Sequence, residues 1–146
     1  MGLQTRQRGR FTIINNLDSN LLGRSSEDLA ANYILSLGWP ILARNVKNQY
    51  GELDIIAIDS KSNPEELVII EVRARTTGKI QSAIDSIGPH KLRTLIKAGR
   101  EVVNLLNWSG FWRIDVAGIT FHDKNDLTNW TLEHVRDITA GMNLLS

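Results

Sequence analysis

Two acidic residues interrupt the most apolar stretches of this sequence. Asp54 lies within Leu53-Asp54-Ile55-Ile56-Ala57-Ile58, and Glu71 directly follows Leu67-Val68-Ile69-Ile70. Segments this apolar predict central strands that are covered on both faces. A carboxylate in such a strand is costly unless it is paired, hydrogen-bonded or bound to a metal ion. The two acids are therefore the first candidates for functional residues.

The spacing of these acids suits phosphodiester hydrolysis. If a turn at residues 60–66 joins neighbouring strands, Asp54 lies close to Glu71, and period two places Arg73 on the same face as Glu71. Paired carboxylates on rigid strands can hold a divalent cation, which activates water and neutralises the charge that develops on phosphorus. Arg73 would then contact the phosphate. The structural alternative is an ordinary ion pair between Glu71 and Arg73, with Asp54 a strand-end acid.

Glu27 is the candidate third acid. The sequence Ser25-Ser26-Glu27-Asp28 is typical of a capping box and predicts a helix that begins at Ser25 and ends at Gly38. Helical spacing puts Glu27 on the flank of the apolar face, half-buried, where it could complete the shell of a cation through water. A favourable interaction with the helix dipole explains an acid at this position equally well.

A basic segment follows the second acid. Although the chain has a net charge of only +1, seven of its 17 Lys and Arg residues lie between Arg73 and Arg100, against one of its 16 acidic residues. Such a segment predicts a phosphate-binding face, and a solvated helix face is the alternative. The candidate nucleic-acid contacts are Arg75, Lys79, Lys91, Arg93 and Lys97. The four tryptophans are expected mostly in the core, with stacking on unpaired bases as the alternative.

The hydrophobic pattern predicts the elements that position these residues. Strands are expected at Ile41–Lys47, Glu52–Asp59, Leu67–Arg75, Phe111–Phe121 and Asn129–Asp137, and a long helix is expected to begin at Gly88-Pro89. The order α-β-β-β-α-β-(β) predicts an α/β fold, a mixed sheet with helices packed against it. Residues 1–22 have no sustained period and predict a flexible arm, followed by a domain at 23–138 and a tail at 139–146.

Composition excludes several classes of protein. A chain of 146 residues forms one ordinary domain, and the absence of cysteine excludes disulfides, thiol nucleophiles and thiolate metal sites. Its three histidines are not at metal-ligand spacing, so carboxylates would hold any metal, which favours Mg²⁺ or Mn²⁺. The longest apolar run, Leu67–Ile70, is far too short for a membrane span or a signal peptide. We therefore expect a cytoplasmic protein with no membrane partner.

Taken together, the motifs resemble the YraN-like family of uncharacterised bacterial proteins over about residues 23–138. The similarity is carried by Glu27-x-x-Ala30, Ala43-Arg44-Asn45, Gly51–Ala57, Val68–Arg75, Lys91, Arg113-x-Asp115-Val116 and Glu133-His134. That family is similar to the PD-(D/E)XK, restriction-endonuclease-like superfamily and is close to Holliday-junction resolvases in architecture. The resemblance implies an αβββαβ core with Asp54 and Glu71 as metal-binding acids and Glu27 as the accessory helix acid. The superfamily signature ends in Lys where this chain has Arg73, which can clamp a phosphate but cannot act as a general base.

Three functions stay open on the sequence. The first is a Mg²⁺- or Mn²⁺-dependent endonuclease acting on DNA, branched or single-stranded. The second is a catalytically lapsed nucleic-acid-binding module of the same fold, which Arg73 in place of Lys favours. The third is a small interaction protein with structural acids and arginines, which a close cluster of the three carboxylates would contradict. A homodimer also stays open, although no heptad or clear apolar patch supports one.

Overall fold

Two helices and six strands make up the part of the chain that this computed structural model describes, residues 8–11, 22–76 and 85–140. They are β1 (Arg8–Phe11), α1 (Leu22–Ser36), β2 (Ile41–Asn48), β3 (Gly51–Asp59), β4 (Glu66–Thr76), α2 (Pro89–Leu105), β5 (Trp112–Phe121) and β6 (Trp130–Val135). The predicted order of helices and strands is confirmed from α1 to β6. Neither helix in the described ranges is long and apolar enough to cross a membrane.

The strands form one mixed sheet in the order β1-β6-β5-β4-β3-β2. Strands β2, β3 and β4 pair antiparallel in sequence, whereas β4 and β5 pair parallel from Leu67↔Trp112 to Thr76↔Phe121. A parallel pair requires a crossover connection, and the segment that contains α2 provides it. The α/β fold class and its restriction-endonuclease-like αβββαβ core are therefore confirmed.

Each face of the sheet is covered by one helix, which explains why the central strands are apolar at both parities. On β4, Val68 and Ile70 join the core under α1, and the alternate residues Leu67 and Ile69 join the core under α2. Helix α2 lies close to the sheet at Gly99, where an added Cβ would be 2.7 Å from the ring of Trp112. Burial of alternate residues against two helices is the period-two geometry of a strand.

Helix α1 begins three residues before the predicted start. The structure extends it back to Leu22, so the capping box predicted at Ser25 is wrong as a helix boundary. A capping preference is worth only about 1 kcal/mol, and the surrounding structure can override it. The predicted end is right, because Gly38 adopts a φ of 81° and donates its N–H to the carbonyl of Leu35.

Part of the predicted arm is a strand. Arg8–Phe11 pairs antiparallel with β6, from Arg8↔Glu133 to Phe11↔Trp130. An edge strand is held by backbone hydrogen bonds, which do not depend on a particular sequence. A strand of four residues is also too short to show a hydrophobic period. Residues 1–7, 12–21 and 141–146, which include most of the predicted arm and tail, lie outside the described residues.

Candidate functional site

Asp54 and Glu71 meet where β3 and β4 separate. The paired register of these strands runs from Asp59↔Glu66 to Ile55↔Ile70, and Asp54 follows immediately. There the backbone pairing of β3 with β4 ends, and the N–H of Val72 instead donates to Oδ2 of Asp54 at 2.8 Å. The alternation of β3 also breaks at this point, since Leu53 joins the core under α2 and Ile55 the core under α1. The strand is therefore locally reshaped to aim the Asp54 carboxylate at β4.

The carboxyl group of the half-buried Asp54 lies beside that of the buried Glu71. Burial first, then the contact with Asp54, raises the pKa of Glu71 to about 7, against the opposing charges of Lys91 and Arg73. The Glu71 residue is only 6% exposed. Two acids in contact repel when both are ionised, so this arrangement disfavours the fully charged pair. Ionisation of both acids at once is thus unfavourable near neutral pH.

Lys91 of helix α2 contacts this acid pair at Glu71. It lies in the first turn of α2, and its Nζ is 3.3 Å from Oε2 of Glu71. This contact is an ion pair without a hydrogen bond, and the buried Oε2 accepts no hydrogen bond from the described residues. A cation in the first turn of a helix opposes the helix dipole, so the pairing with Glu71 accounts for this residue better than helix stability does. The sequence indicated only a nucleic-acid contact for Lys91.

Glu27 lies beside the pair without joining it. Burial first, then the negative charge of Asp54, raises the pKa of Glu27, while a hydrogen bond with Asn45 opposes the shift. Asn45 has a φ of 53° in the middle of β2, and the register of Arg44↔Ile55 places it opposite Asp54. A left-handed residue inside a strand is strained and is usually held for a reason. The sequence indicated Asn45 only as part of the motif Ala43-Arg44-Asn45, with no role at the site.

The residues present fit a hard divalent cation. Within the described ranges, no three His, Asp or Glu side chains come together as a metal cluster, so direct ligation would come from Asp54 and Glu71. Mg²⁺ is commonly bound through one or two carboxylates, with water and phosphate oxygens as its other ligands. Oε2 of Glu71 accepts no hydrogen bond from the described residues, so such a cation would add a contact beside the ion pair with Lys91. Glu27 lies beside the pair, and its contact with the water shell of a cation stays a prediction.

The basic candidates divide into three groups. Arg75 donates its Nε to Oγ1 of Thr120 at 3.1 Å, so β5 restrains its guanidinium. Arg93 and Lys97 are exposed on α2. Lys79 lies outside the described residues. Arg93 and Lys97 are therefore the candidates that are open to solvent, and their helix covers the face of the sheet that carries Glu71.

Glu71→Gln is expected to stabilise the metal-free protein at alkaline pH. Because the folded-state pKa of about 7 lies above the ordinary value of 4.5, wild-type stability falls as the pH rises between these values and stays low above them. Glutamine is neutral throughout, so the gain at pH 8 should be on the order of 2 kcal/mol, or several degrees in the melting temperature. Calorimetry in EDTA at pH 5 and pH 8 measures it. Equal melting temperatures of the two proteins at both pH values would contradict this electrostatic account.

A second polar cluster lies under α1, on the other face of the sheet. Arg113 donates to Asp115 at 3.0 Å and to Asp59 at 3.0 Å, and Asp115 also contacts Nε2 of His134 at 2.8 Å. The other ring nitrogen of His134 lies 2.9 Å from the hydroxyl of Tyr33 in α1. The buried charge of Arg113 is paired here with the charges of Asp59 and Asp115. The cluster ties α1 to β3, β5 and β6, and it gives a structural reason for two motifs to which the sequence assigned no role.

Several known proteins are similar to this chain. The model of the Uncharacterised protein family UPF0102 matches residues 26–119, a range that contains both acids of the pair and Lys91. UPF0102 proteins of Chlorobium chlorochromatii and Marinobacter nauticus are 33% and 39% identical to it. The matches cover 80% and 70% of this chain and 88% and 80% of those proteins.

Among solved structures, that of Pyrococcus furiosus SfsA in complex with Ca²⁺ is similar at a TM-score of 0.30 and 15% identity. The match covers 82% of this chain and 64% of SfsA. A likeness at this level carries no argument about function. The family match spans most of the chain, and the relatives exceed 30% identity over most of their own lengths. The chain therefore belongs to the UPF0102 family, the YraN group that its motifs resemble.

Proposed function

We propose that this protein binds DNA and hydrolyses its phosphodiester bonds with a divalent cation held by Asp54 and Glu71. One observation carries the proposal: the half-buried Asp54 carboxylate, fixed by the N–H of Val72, lies beside the buried carboxyl group of Glu71. Oε2 of Glu71 accepts no hydrogen bond from the described residues and is 3.3 Å from Nζ of Lys91. Buried like charges with shifted pKa values are concentrated at functional sites, because function rather than stability retains them.

Each acid has a role that follows from its contacts. The N–H of Val72 fixes the orientation of the Asp54 carboxylate, and Glu71 beside it would offer its buried Oε2 as the second ligand. A bound Mg²⁺ or Mn²⁺ would supply Lewis-acid activation of water and neutralise charge on the phosphate. Glu27, held by Asn45, would orient water next to this point. The arrangement provides fixed negative charge for the cation and a fixed position for the attacking water.

The two nearby cations have different chemistry. Arg73 keeps its charge at any physiological pH and cannot accept a proton, so it serves as a phosphate contact. Its Nε is buried without a hydrogen-bond partner among the described residues, and an anionic oxygen would satisfy that donor. Lys91 is an amine and can exchange a proton, and it already lies 3.3 Å from Glu71. Lys91 therefore takes the role that the signature lysine has in the superfamily.

Lys91→Arg is expected to lower the cleavage rate by about 10²- to 10⁴-fold, because arginine keeps the charge but cannot exchange a proton. Arg73→Lys, which keeps a cation against the phosphate, should retain activity, whereas Arg73→Ala should lose about 10²-fold or more. Lys124→Arg, an exposed change in the loop after β5, is the matched control. Single-turnover cleavage at saturating Mn²⁺ measures all four variants. If Lys91→Arg cleaves like the wild type, Lys91 contributes charge alone.

The proposal is tested by a cleavage assay on single-stranded, duplex and branched DNA and on RNA, in Mg²⁺, Mn²⁺ or EDTA. We expect cleavage of at least one DNA structure with either metal and none in EDTA. We also expect affinity that falls as salt is added, because phosphate contacts release counterions. If no substrate is cut although binding is retained, the nuclease assignment is wrong.

A catalytically lapsed DNA-binding module is the second candidate, and the ion pair of Lys91 with Glu71 favours it. The ammonium already supplies positive charge at the position where a cation would bind. Calorimetric titration with Mn²⁺ distinguishes the two functions. A nuclease should bind Mn²⁺ through Asp54 and Glu71, whereas a lapsed module with a permanent ion pair should not bind it.

A further inference from the structure

A groove of about 250 Å³ lies where the turn between β2 and β3 meets α2. It is lined by Gln49, Tyr50, Lys97, Arg100, Glu101 and Asn104. Tyr50 is 44% exposed, whereas Tyr33, Trp39 and Trp130 are almost fully buried. Two of the four tryptophans considered for stacking on bases are thus inaccessible, and Tyr50 is an exposed aromatic residue that the sequence did not single out.

The turn that carries Tyr50 is held against the helix. The side chain of Asn48 accepts the N–H of Tyr50 at 3.0 Å and donates to the carbonyl of Ala98 at 3.1 Å. Gly51, with a φ of 157°, permits the close approach, because an added Cβ would lie 2.9 Å from Cγ2 of Thr94. The groove wall is therefore preorganised, and little entropy is lost when a ligand contacts it.

The groove combines an aromatic face with positive charge. The lining carries a net charge of +1, because Lys97 and Arg100 contribute two cations and Glu101 one acid. Oε1 of Glu101 accepts from Nε2 of Gln49 at 3.5 Å. An exposed aromatic ring beside cations is the arrangement with which proteins bind single-stranded nucleic acid. The ring stacks on an unpaired base while the cations contact the backbone.

The groove lies within reach of the acid pair along α2. Lys97 and Arg100 follow Lys91 by six and nine residues, which corresponds to about 9–14 Å at the helical rise of 1.5 Å per residue. That distance equals about three or four nucleotides at the rise of 3.4 Å per nucleotide in a duplex, and fewer in an extended strand. A strand whose phosphate lies at Glu71 can therefore place a nearby base in the groove.

We infer that this groove is a subsite for an unpaired base of the substrate strand, which makes single-stranded or splayed DNA the substrate class. The inference rests on the proposed nuclease function. Stacking on Tyr50 requires a base face that is free of its neighbours, and a continuous duplex does not offer one. Lys97 and Arg100 would hold the adjoining phosphate.

Binding of Tyr50→Ala to a single-stranded oligonucleotide and to a blunt duplex of the same sequence tests this inference. In EDTA, so that nothing is cut, we expect about a tenfold loss of affinity for the single strand and less than a twofold loss for the duplex. Tyr50→Phe keeps the ring and should bind like the wild type. Phe111→Ala, which removes an aromatic side chain from a residue that is 69% exposed outside the groove, is the matched control.

Unchanged single-strand affinity in Tyr50→Ala, or an equal loss on both DNAs, overturns the subsite. Lys97→Met provides a second test that does not involve the turn, and it should flatten the salt dependence of single-strand binding. Failure of the two ideas is distinguishable. A wild type that binds and cleaves DNA while Tyr50→Ala matches it refutes the subsite alone, whereas a wild type that binds no DNA refutes the proposed function as well.

Discussion

Asp54→Asn and Glu71→Gln are each expected to lower the rate of DNA cleavage by about 10³-fold. Each substitution keeps the shape of the side chain and removes one of the two negative charges that would hold the cation. Fixed electrostatic groups at a reacting centre are commonly worth 10²- to 10³-fold in rate, and the loss of a cation ligand belongs at the upper end. Single-turnover cleavage over a range of Mn²⁺ concentrations measures both the rate and the apparent metal affinity.

Stability separates this effect from a folding defect. Glu71→Gln is expected to raise the melting temperature of the metal-free protein at pH 8, so a variant that is more stable and yet inactive has lost chemistry rather than structure. Glu65→Gln, an exposed change at the opposite end of the β3–β4 hairpin, is the control and should leave both properties unchanged. Undiminished cleavage and Mn²⁺ affinity in both Asp54→Asn and Glu71→Gln would falsify the site.

Asp115→Asn is expected to destabilise the fold by about 3–5 kcal/mol, the usual loss when one partner of a buried ion pair is removed. Asp115 is fully buried and accepts from Arg113, from the N–H of Asp137 and in its contact with His134. Burial alone would raise the pKa of Asp115, but the hydrogen bonds from His134 and Arg113 outweigh burial and lower it. Equilibrium unfolding in urea at pH 7 measures the loss.

The pH dependence of this loss has a defined sign. Because the folded-state pKa of Asp115 is depressed, its stabilisation is present at neutral pH and is lost as the pH falls below about 4. The difference between the wild type and Asp115→Asn should therefore narrow at acid pH. Asp123→Asn, an exposed change in the loop after β5, is the control and should cost little. A constant difference from pH 7 to pH 3 would mean that packing, rather than charge, accounts for the loss.

The regular elements could be predicted because their signals are local. The apolar segments that contain Asp54 and Glu71 predicted β3 and β4 to within one residue at each end, and Pro89 marked the start of α2. Period two along a strand and 3.6 along a helix follow from backbone geometry alone. The juxtaposition of the two acids followed as well, because a short turn between neighbouring strands leaves few alternative registers.

Other features needed the tertiary structure. The strand at Arg8–Phe11 depends on the exposed edge of β6, which is far away in sequence, and the early start of α1 is not visible in local capping preferences. The left-handed conformation of Asn45 depends on its position opposite Asp54, where the alternation of β3 breaks. These features arise from contacts between elements, about which a local pattern carries no information.

The order of the elements and the positions of the two acids in the central strands could be predicted from the sequence, since both follow from the spacing of apolar residues. The surroundings of those acids depend on contacts between elements. In the structure Lys91, which the sequence predicted as a nucleic-acid contact, forms an ion pair with Glu71. Arg113, Asp115 and His134 form a polar cluster on the opposite face of the sheet. The reason is physical: the partner of a side chain depends on how α2 and α1 cross the sheet, and those crossings are set by packing across the whole core rather than by any one segment.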